Sequence, residues 1–484
     1  MADDLTAKFS VEELIIARYR LKCLSPDDSR YYKESQHLAP FFSLEAELKA
    51  CVQVQKALLE TRVEFSKADP KNVVELEEAL SKFDPLNATL IEEKITKHDQ
   101  LAVIEELGRH VSLETKAMLH PGTTSYDILD TARSYLFKLA WKTTLKPKAL
   151  ELVEKLCDLA ESYKFVGQVG RTHLQHTSPV LFGGVLAGYA ARLAERVKKS
   201  DAAFEDLRGK ISGIVGTGAS IDIVIGEGNS LEFERRVLEK LNLEPDLTST
   251  QIVQKERLAD CGHAITTLMG VLTDFANDMR LLYSSEINEI SSFDEEKRLG
   301  GSSADAAKNN PIHWENIAGT EPVVESGMRI LYGLISTDFQ RDLRGSKSAR
   351  YQPQLMMAET YESLARAVKA TNSLIVNNDK MSEHLQKVRD FPSEAMVAVT
   401  RAHGWNHPQY GVGHDAVKEF SKQAKGHRAP LLETALRDPF FNDFFTKLPC
   451  REQRILQGEL ELYTESARER LELNIQYAKK VINK

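Results

Sequence analysis

From Leu258 the apolar residues fall at Cys261, Ile265, Leu268, Leu272, Phe275, Met279 and Leu282. These alternating steps of three and four run for about seven turns. Only an α-helix brings such a series onto one face, and a helix this long with one apolar stripe needs other long helices to cover it. Leu186, Ala190, Leu193 and Val197 repeat the spacing, beside Gly184, Gly188 and Ala191, small residues that admit a close neighbour. Residues 126–163 (with a kink or break expected at Pro147), 317–337 and 355–378 read as further long helices. Alternating, strand-like stretches are scarce, and the best of them, Ile221 to Ile225, is short. The fold class is therefore mainly α, with helices of roughly 20 to 30 residues against a globular mean of about 11–12. Such broad apolar faces are buried against helices of the same and of other subunits, so an obligate oligomer is expected.

Breaks in the helical pattern fall near His120-Pro121-Gly122-Thr123-Thr124-Ser125 and near Val376-Asn377-Asn378-Asp379. They divide the 484 residues into an N-terminal helical region 1–123, a central long-helix region 124–376 and a C-terminal region 377–484. A net charge of -8 argues against nucleic acid as the main partner. The start, Met1-Ala2-Asp3-Asp4, lacks the basic and apolar blocks of a signal peptide, and no apolar run is long enough for a bilayer. Cys23, Cys51, Cys157, Cys261 and Cys450 are dispersed and odd in number, as suits a reducing cytosol and neither a disulfide framework nor a zinc site. A cytoplasmic protein without membrane attachment is expected.

Six polar stretches are richer than a core requires. Gly300 to Pro311 (Gly-Gly-Ser-Ser-Ala-Asp-Ala-Ala-Lys-Asn-Asn-Pro) pairs glycines with two hydroxyls and Lys308, and ends with Asn310 as an expected N-cap and Pro311 at the first helical position. A mobile loop delivering Ser302 and Lys308 to an anion-favouring helix start fits, as does an ordinary linker. Ser25 to Tyr31 ends on Arg30 and Tyr31, which suit a phosphate or a surface salt bridge. In Thr96-Lys97-His98-Asp99, His98 is either an acid–base group or a residue of the first helical turn. Thr123, Thr124 and Ser125 precede a helix, where Ser125 could serve simply as a cap. In Gly170-Arg171-Thr172-His173-Leu174-Gln175-His176 the two histidines have the spacing of a shared helix face. No carboxylate accompanies them in a metal motif, and one histidine acting as acid or base is the better reading. Gln340 to Arg350 is dense in cations and hydroxyls, an anion site or a solvated turn. Gly213, Gly216 and Gly218 lack the ending of a phosphate loop, and His403, His407 and His414 match no metal spacing.

Taken together, the six stretches resemble the fumarase/aspartase superfamily and, within it, the adenylosuccinate lyase family. Gly301, Ser302, Ser303, Lys308, Asn310 and Pro311 match the signature GSSxMPxKxNP, while Asp305 and Ala306 stand where Met and Pro are usual. Ser29-Arg30-Tyr31, His98-Asp99, Gln340 to Leu343 and the run from Pro311-Ile312 to Glu315-Asn316 point to the adenylosuccinate branch. The likeness extends from about residue 25 to the end and is weakest after 380.

The resemblance implies a three-domain subunit and a homotetramer whose long central helices form a shared bundle, each active site drawing on three subunits. It implies β-elimination of fumarate from adenylosuccinate, giving AMP, and from the succinyl-carboxamide ribotide of purine synthesis, with no metal and no cofactor. By position Ser302 would be the base and His173 the acid, with Lys308 stabilising the carbanion's carboxylate and Asn310 helping to hold it. His98 and Glu315 would orient the acid. Thr124, Ser125 and Gln251 would hold the succinyl group, and Arg30, Tyr31, Arg341, Ser346 and Arg350 the phosphate. Asp99, Thr172 and Ser303 complete the implied substrate contacts. Two departures stand out: Gln254-Lys255 in place of Pro-Arg after Gln251, and Asp305-Ala306, which frees the loop and sets a carboxylate near Ser302 and Lys308. The alternatives are a weak or silent nucleotide-binding paralogue and a sister lyase releasing fumarate from another adduct.

Overall fold

The computed structural model describes residues 9–292, 308–389 and 392–483. Among these residues helix dominates, and extended chain occurs only as four two-stranded ladders. No helix of the described residues is long and apolar enough to cross a membrane. The chain divides into two compact units. One comprises Met1–Ala149, Arg196–Thr273 and Asn316–Arg366; the other comprises Leu150–Glu195, Asp274–Glu315 and Ala367–Lys484.

The core of the first unit follows from helical spacing. Helix Leu44–Glu64 contributes Cys51, Val54 and Leu58, helix Ser125–Ala140 contributes Ile128, Leu129 and Ala132, and helix Ser230–Glu239 adds Phe233, Val237 and Leu238 to the same buried cluster. Cys261, Ile265, Leu268, Leu272, Phe275 and Met279, the expected stripe, are all buried on helix Glu256–Leu282. Gly262 on that helix is closely packed: a Cβ there would stand 2.2 Å from Leu331 Cδ1 on helix Ile312–Ile335, so the leucine side chain would have to shift. In the second unit Phe275 meets the ring of Trp314 edge-on at 5.3 Å and that of Tyr189 at 5.2 Å. The stripe Leu186, Ala190, Leu193 and Val197 is buried on helix Phe182–Glu205.

Several local expectations are corrected. At Pro147 the helix widens instead of breaking: a π-helical turn, Trp141–Leu145, joins Ser125–Ala140 to Lys146–Ser162. Proline lacks the N–H for the carbonyl four residues earlier and crowds it, and the wider turn ahead of it relieves both problems. Ile221 to Ile225 is not a strand but part of helix Ala219–Ile225. Ile221 and Ile225, four apart, are buried, whereas Ile223 between them is 86% exposed, so the alternation in sequence is not an alternation in burial. Gly184 and Gly188 meet no other helix of this chain among the described residues, which leaves their faces open to a helix of another subunit. A Cβ would meet only Leu181 at 3.6 Å from Gly184 and nothing within 4 Å from Gly188, and the close approach is at Gly183, 2.4 Å from the Ala160 carbonyl. Helix Ile312–Ile335 starts one residue later than expected: the Pro311 carbonyl accepts from Glu315 N–H at 3.0 Å, which puts Pro311 and not Asn310 at the N-cap.

Candidate active site

In the first unit, Tyr126 follows Ser125 at the start of helix Ser125–Ala140 and gathers several of the expected residues. The Arg341 guanidinium lies 3.6 Å above the centre of its ring, a cation–π contact, and Arg341 Nη1 donates to Gln251 Oε1 at 2.9 Å. The Tyr126 hydroxyl is 3.4 Å from Ser346 Oγ. The segments carrying Gln251 and Arg341 are joined by the Gln340 carbonyl, which accepts from Gln251 N–H at 3.3 Å and from Thr250 Oγ1 at 2.7 Å. Residues 90 apart in sequence thus meet at one place. Among the described residues Arg341 has no carboxylate partner, while its neighbour Arg344 is taken up by Asp342 at 2.6 Å and Asp338 at 2.9 Å. One cation of the Gln340–Arg350 run is therefore locally neutralised, and another is held by neutral groups with its charge uncompensated.

A second group in this unit collects around Glu47. Arg350 Nη2 donates to Asp99 at 2.9 Å, Arg350 Nη1 lies 3.6 Å from Glu47, and Glu47 accepts from Arg133 at 2.7 Å. His98 is exposed and is the N-cap of helix Asp99–Gly108, its Nδ1 facing Leu101 N–H at 3.5 Å and Asp99 Oδ1 at 3.4 Å. Arg30 is exposed at the end of the short helix Pro26–Ser29 and makes no ion pair among the described residues, and Tyr31 lies under the Arg366 guanidinium at 5.1 Å. No bond among the described residues ties Arg30 or Tyr31 to the Arg341 group.

Asp127 is a residue that sequence reasoning left without a role. It is fully buried; Oδ2 accepts from Thr124 N–H at 2.6 Å, and Oδ1 accepts from Ser212 N–H at 3.0 Å, Gly213 N–H at 3.2 Å and the equally buried Lys210 ammonium. One carboxylate thus fixes the Thr124–Ser125 helix start to the 208–218 loop. The cap is Thr124 and not Ser125, which occupies the first helical position. Glu234 completes the arrangement by accepting from Ile211 N–H at 2.6 Å. Lys255, a departure from the family pattern, pairs with Asp130 at 2.7 Å, so the substitution is accommodated locally.

Glu234 gives a pH test of this loop. Burial pushes its carboxyl up to about 7 from an ordinary 4.5, against the opposing pull of Ile211 N–H and Lys210. A raised folded-state pKa stabilises the fold fully below the unfolded value, and that contribution is lost as pH climbs through about 7. Wild type should therefore lose on the order of 2 kcal/mol relative to Glu234→Gln between pH 5 and pH 8, read from paired denaturant curves. A difference independent of pH would show that Glu234 is ionised throughout.

In the second unit the histidine stretch forms a hairpin and not a helix: Gly167–Thr172 pairs antiparallel with Gln175–Leu181, and His173-Leu174 is its two-residue loop. His173 and His176 therefore share no helix face, since one sits at the exposed tip and the other on the return strand. The only described group of three potential metal ligands close together is Asp27, Glu359 and Glu362 in the first unit, which contains neither histidine. His403, His407 and His414 each face a separate carboxylate (Glu452, Asp438 and Asp415). Thr172 ends the first hairpin strand, Lys308 and Glu315 are exposed, and Asn310 is half-buried; within this unit no described bond joins them to His173. Ser302, Ser303, Asp305 and Ala306 lie outside the described residues.

Residues 24–324 match a family model described as Lyase. The match covers more than half of the chain, which therefore belongs to this lyase family, within the fumarase/aspartase superfamily. Several curated relatives are adenylosuccinate lyases. The chain is 29% identical to the adenylosuccinate lyase of Archaeoglobus fulgidus over 75% of its own length and 79% of the relative's. It is 28% identical to that of Methanocaldococcus jannaschii, over 72% and 74% of the two chains, and 34% identical to that of Bacillus subtilis, over 59% and 63%. Among solved structures, the 3-carboxy-cis,cis-muconate lactonizing enzyme of Pseudomonas putida superposes with a TM-score of 0.76 at 19% identity, covering 92% of this chain and 97% of that one. A fumarate lyase from Mesorhizobium sp. BNC1 gives 0.76 at 21%, covering 91% and 97%. These two likenesses establish the fold alone.

Proposed function

We propose that this protein is an adenylosuccinate lyase, a carbon–nitrogen lyase that eliminates fumarate from adenylosuccinate to give AMP, and from the succinyl-carboxamide ribotide. The observation that carries the reading is Arg341, a guanidinium held by Gln251 and the Tyr126 ring without a carboxylate partner among the described residues, beside Ser346. A phosphate would supply the missing anion and a planar match to its fork of donors. In the same unit Arg350 pairs with Asp99, and Thr124 N–H is held by Asp127.

The reaction breaks a C–N bond and forms a C=C bond. Ser302, as alkoxide, takes the proton next to a carboxylate; the electron pair moves into that carboxylate, then into the new double bond as the C–N bond cleaves, and His173 protonates the departing nitrogen. Serine is a weak base at its free pKa, so Lys308 and the helix start at Pro311 would have to favour the alkoxide and the growing dianion together. The chemistry calls for no cofactor and no metal. A cytoplasmic homotetramer in which subunits complete one another's sites agrees with the long helices, several of which carry glycines (Gly188, Gly270, Gly319, Gly333) with nothing within 4 Å. It also accounts for the motifs of one site being scattered along the sequence.

A substrate panel tests the assignment. Fumarate release should be confined to the phosphorylated adducts, and argininosuccinate and aspartate should give none; release from either of these would favour a sister lyase. Arg341→Gln should raise KM for adenylosuccinate and Kd for AMP by about 10- to 100-fold, the cost of a charge-assisted contact. Unchanged values would remove Arg341 from the phosphate site.

A further inference from the structure

The hairpin tip is an expensive conformation. His173 and Leu174 have φ of +55° and +59°, the left-handed pair that a two-residue hairpin loop requires and that Asn-Gly supplies cheaply. Neither residue is glycine, so the loop costs about 1–2 kcal/mol per residue and persists only if the base of the hairpin is held firmly. Gly170 shows how tightly the strands close, since a Cβ there would stand 2.6 Å from the Ser178 carbonyl.

What holds the base is Glu289, fully buried and absent from the family roles above. It accepts from Gln168 Nε2 at 2.7 Å and from both terminal nitrogens of Arg171, Nη1 at 3.2 Å, and faces His384 Nδ1 at 2.7 Å. Burial alone would raise its carboxyl, but the Arg171, Gln168 and His384 contacts outweigh it and hold it below the ordinary value, so the group is an anion. Its backbone is equally fixed: the N–H donates to the Leu282 carbonyl at 3.0 Å, and its carbonyl accepts from Asn377 N–H at 2.9 Å. It stands immediately before strand Ile290–Ser292, which pairs with Leu374–Val376, and His384 lies on helix Asn378–Arg389. All four polar groups belong to the second unit, and Arg171 is two residues from His173.

We propose that Glu289, through Arg171 and His384, is a positioning residue for His173: it clamps the hairpin base so that the imidazole meets the leaving nitrogen in one place. The inference rests on the reading of His173 as the acid. A displacement of about 1 Å at a proton donor costs on the order of 10²-fold in rate, whereas a clamp beneath the tip contributes nothing to ground-state binding.

The test is a double-mutant cycle on the full-length enzyme. Glu289→Gln should lower kcat by about 10- to 100-fold with KM within about twofold and an increased solvent deuterium isotope effect, because proton delivery becomes slower. In a His173→Gln background the same substitution should cost less than about twofold more. An equal loss in both backgrounds, or an unchanged kcat, would overturn the proposal. If Glu289→Gln fails to fold, Arg171→Lys keeps the charge, removes the bidentate fork, and carries the same two outcomes. Full activity in His173→Gln alone would instead strike down the acid assignment, whatever Glu289 does.

Discussion

Replacing Ser302 with alanine is expected to lower kcat for adenylosuccinate by about 10²- to 10⁴-fold, the usual contribution of a positioned base, while Kd for substrate stays within a few-fold. The substitution removes one oxygen and leaves the groups assigned to binding, Arg341, Gln251 and Ser346, as they are. Stopped turnover with intact binding separates chemistry from recognition. Undiminished turnover would remove Ser302 from the role of base. The neighbouring departure sharpens the point: Asp305, three residues from both Ser302 and Lys308, sets a carboxylate in the part of the chain that must favour an anionic serine. Asp305→Met should then leave kcat unchanged or raise it.

The largest effect on stability is expected within the first unit. Lys210→Met should cost about 3–5 kcal/mol, since it leaves the fully buried Asp127 carboxylate without its cation. The remaining donors, Thr124, Ser212 and Gly213 N–H, are neutral and offset only part of that charge. Denaturant midpoints at matched protein concentration would measure the loss, and the match matters because any oligomer couples stability to concentration. Asp127 also fixes Thr124, so the folded fraction of the variant should show a raised KM. A loss below about 1 kcal/mol would mean that Asp127 is not the tie between the helix start and the 208–218 loop.

Helix Glu256–Leu282 was legible because a repeat of three and four over about seven turns has no other physical meaning, and the stripe from Cys261 to Met279 is buried as read, whereas the helix expected over 355–378 ends at Asn372 and is followed by strand Leu374–Val376. Arg341 and Ser346 were read together from one motif, but Gln251, expected at the succinyl group with Thr124 and Ser125, instead accepts from Arg341, and nothing local showed that Tyr126 lies beneath the guanidinium. The hairpin was missed because its turn is His-Leu, without the Asn-Gly or Asp-Gly that announces a left-handed pair. Ile221 to Ile225 misled because five residues satisfy a strand period and a helix period alike. Asp127 and Glu289 were missed for a common reason. In sequence an acidic residue reads as surface, and only their partners, Lys210 and His384, 83 and 95 residues away, make burial tolerable. Gly183 was overlooked beside Gly184 because one residue of rotation, about 100°, decides which glycine faces Ala160 and Lys164.

The most direct measurement is incubation of the purified protein with adenylosuccinate while fumarate and AMP are followed together. Equal amounts of the two products, appearing as substrate is consumed, are expected. Retained AMP and adenylosuccinate binding with no fumarate released would contradict the assignment and leave a nucleotide-binding paralogue on the same scaffold.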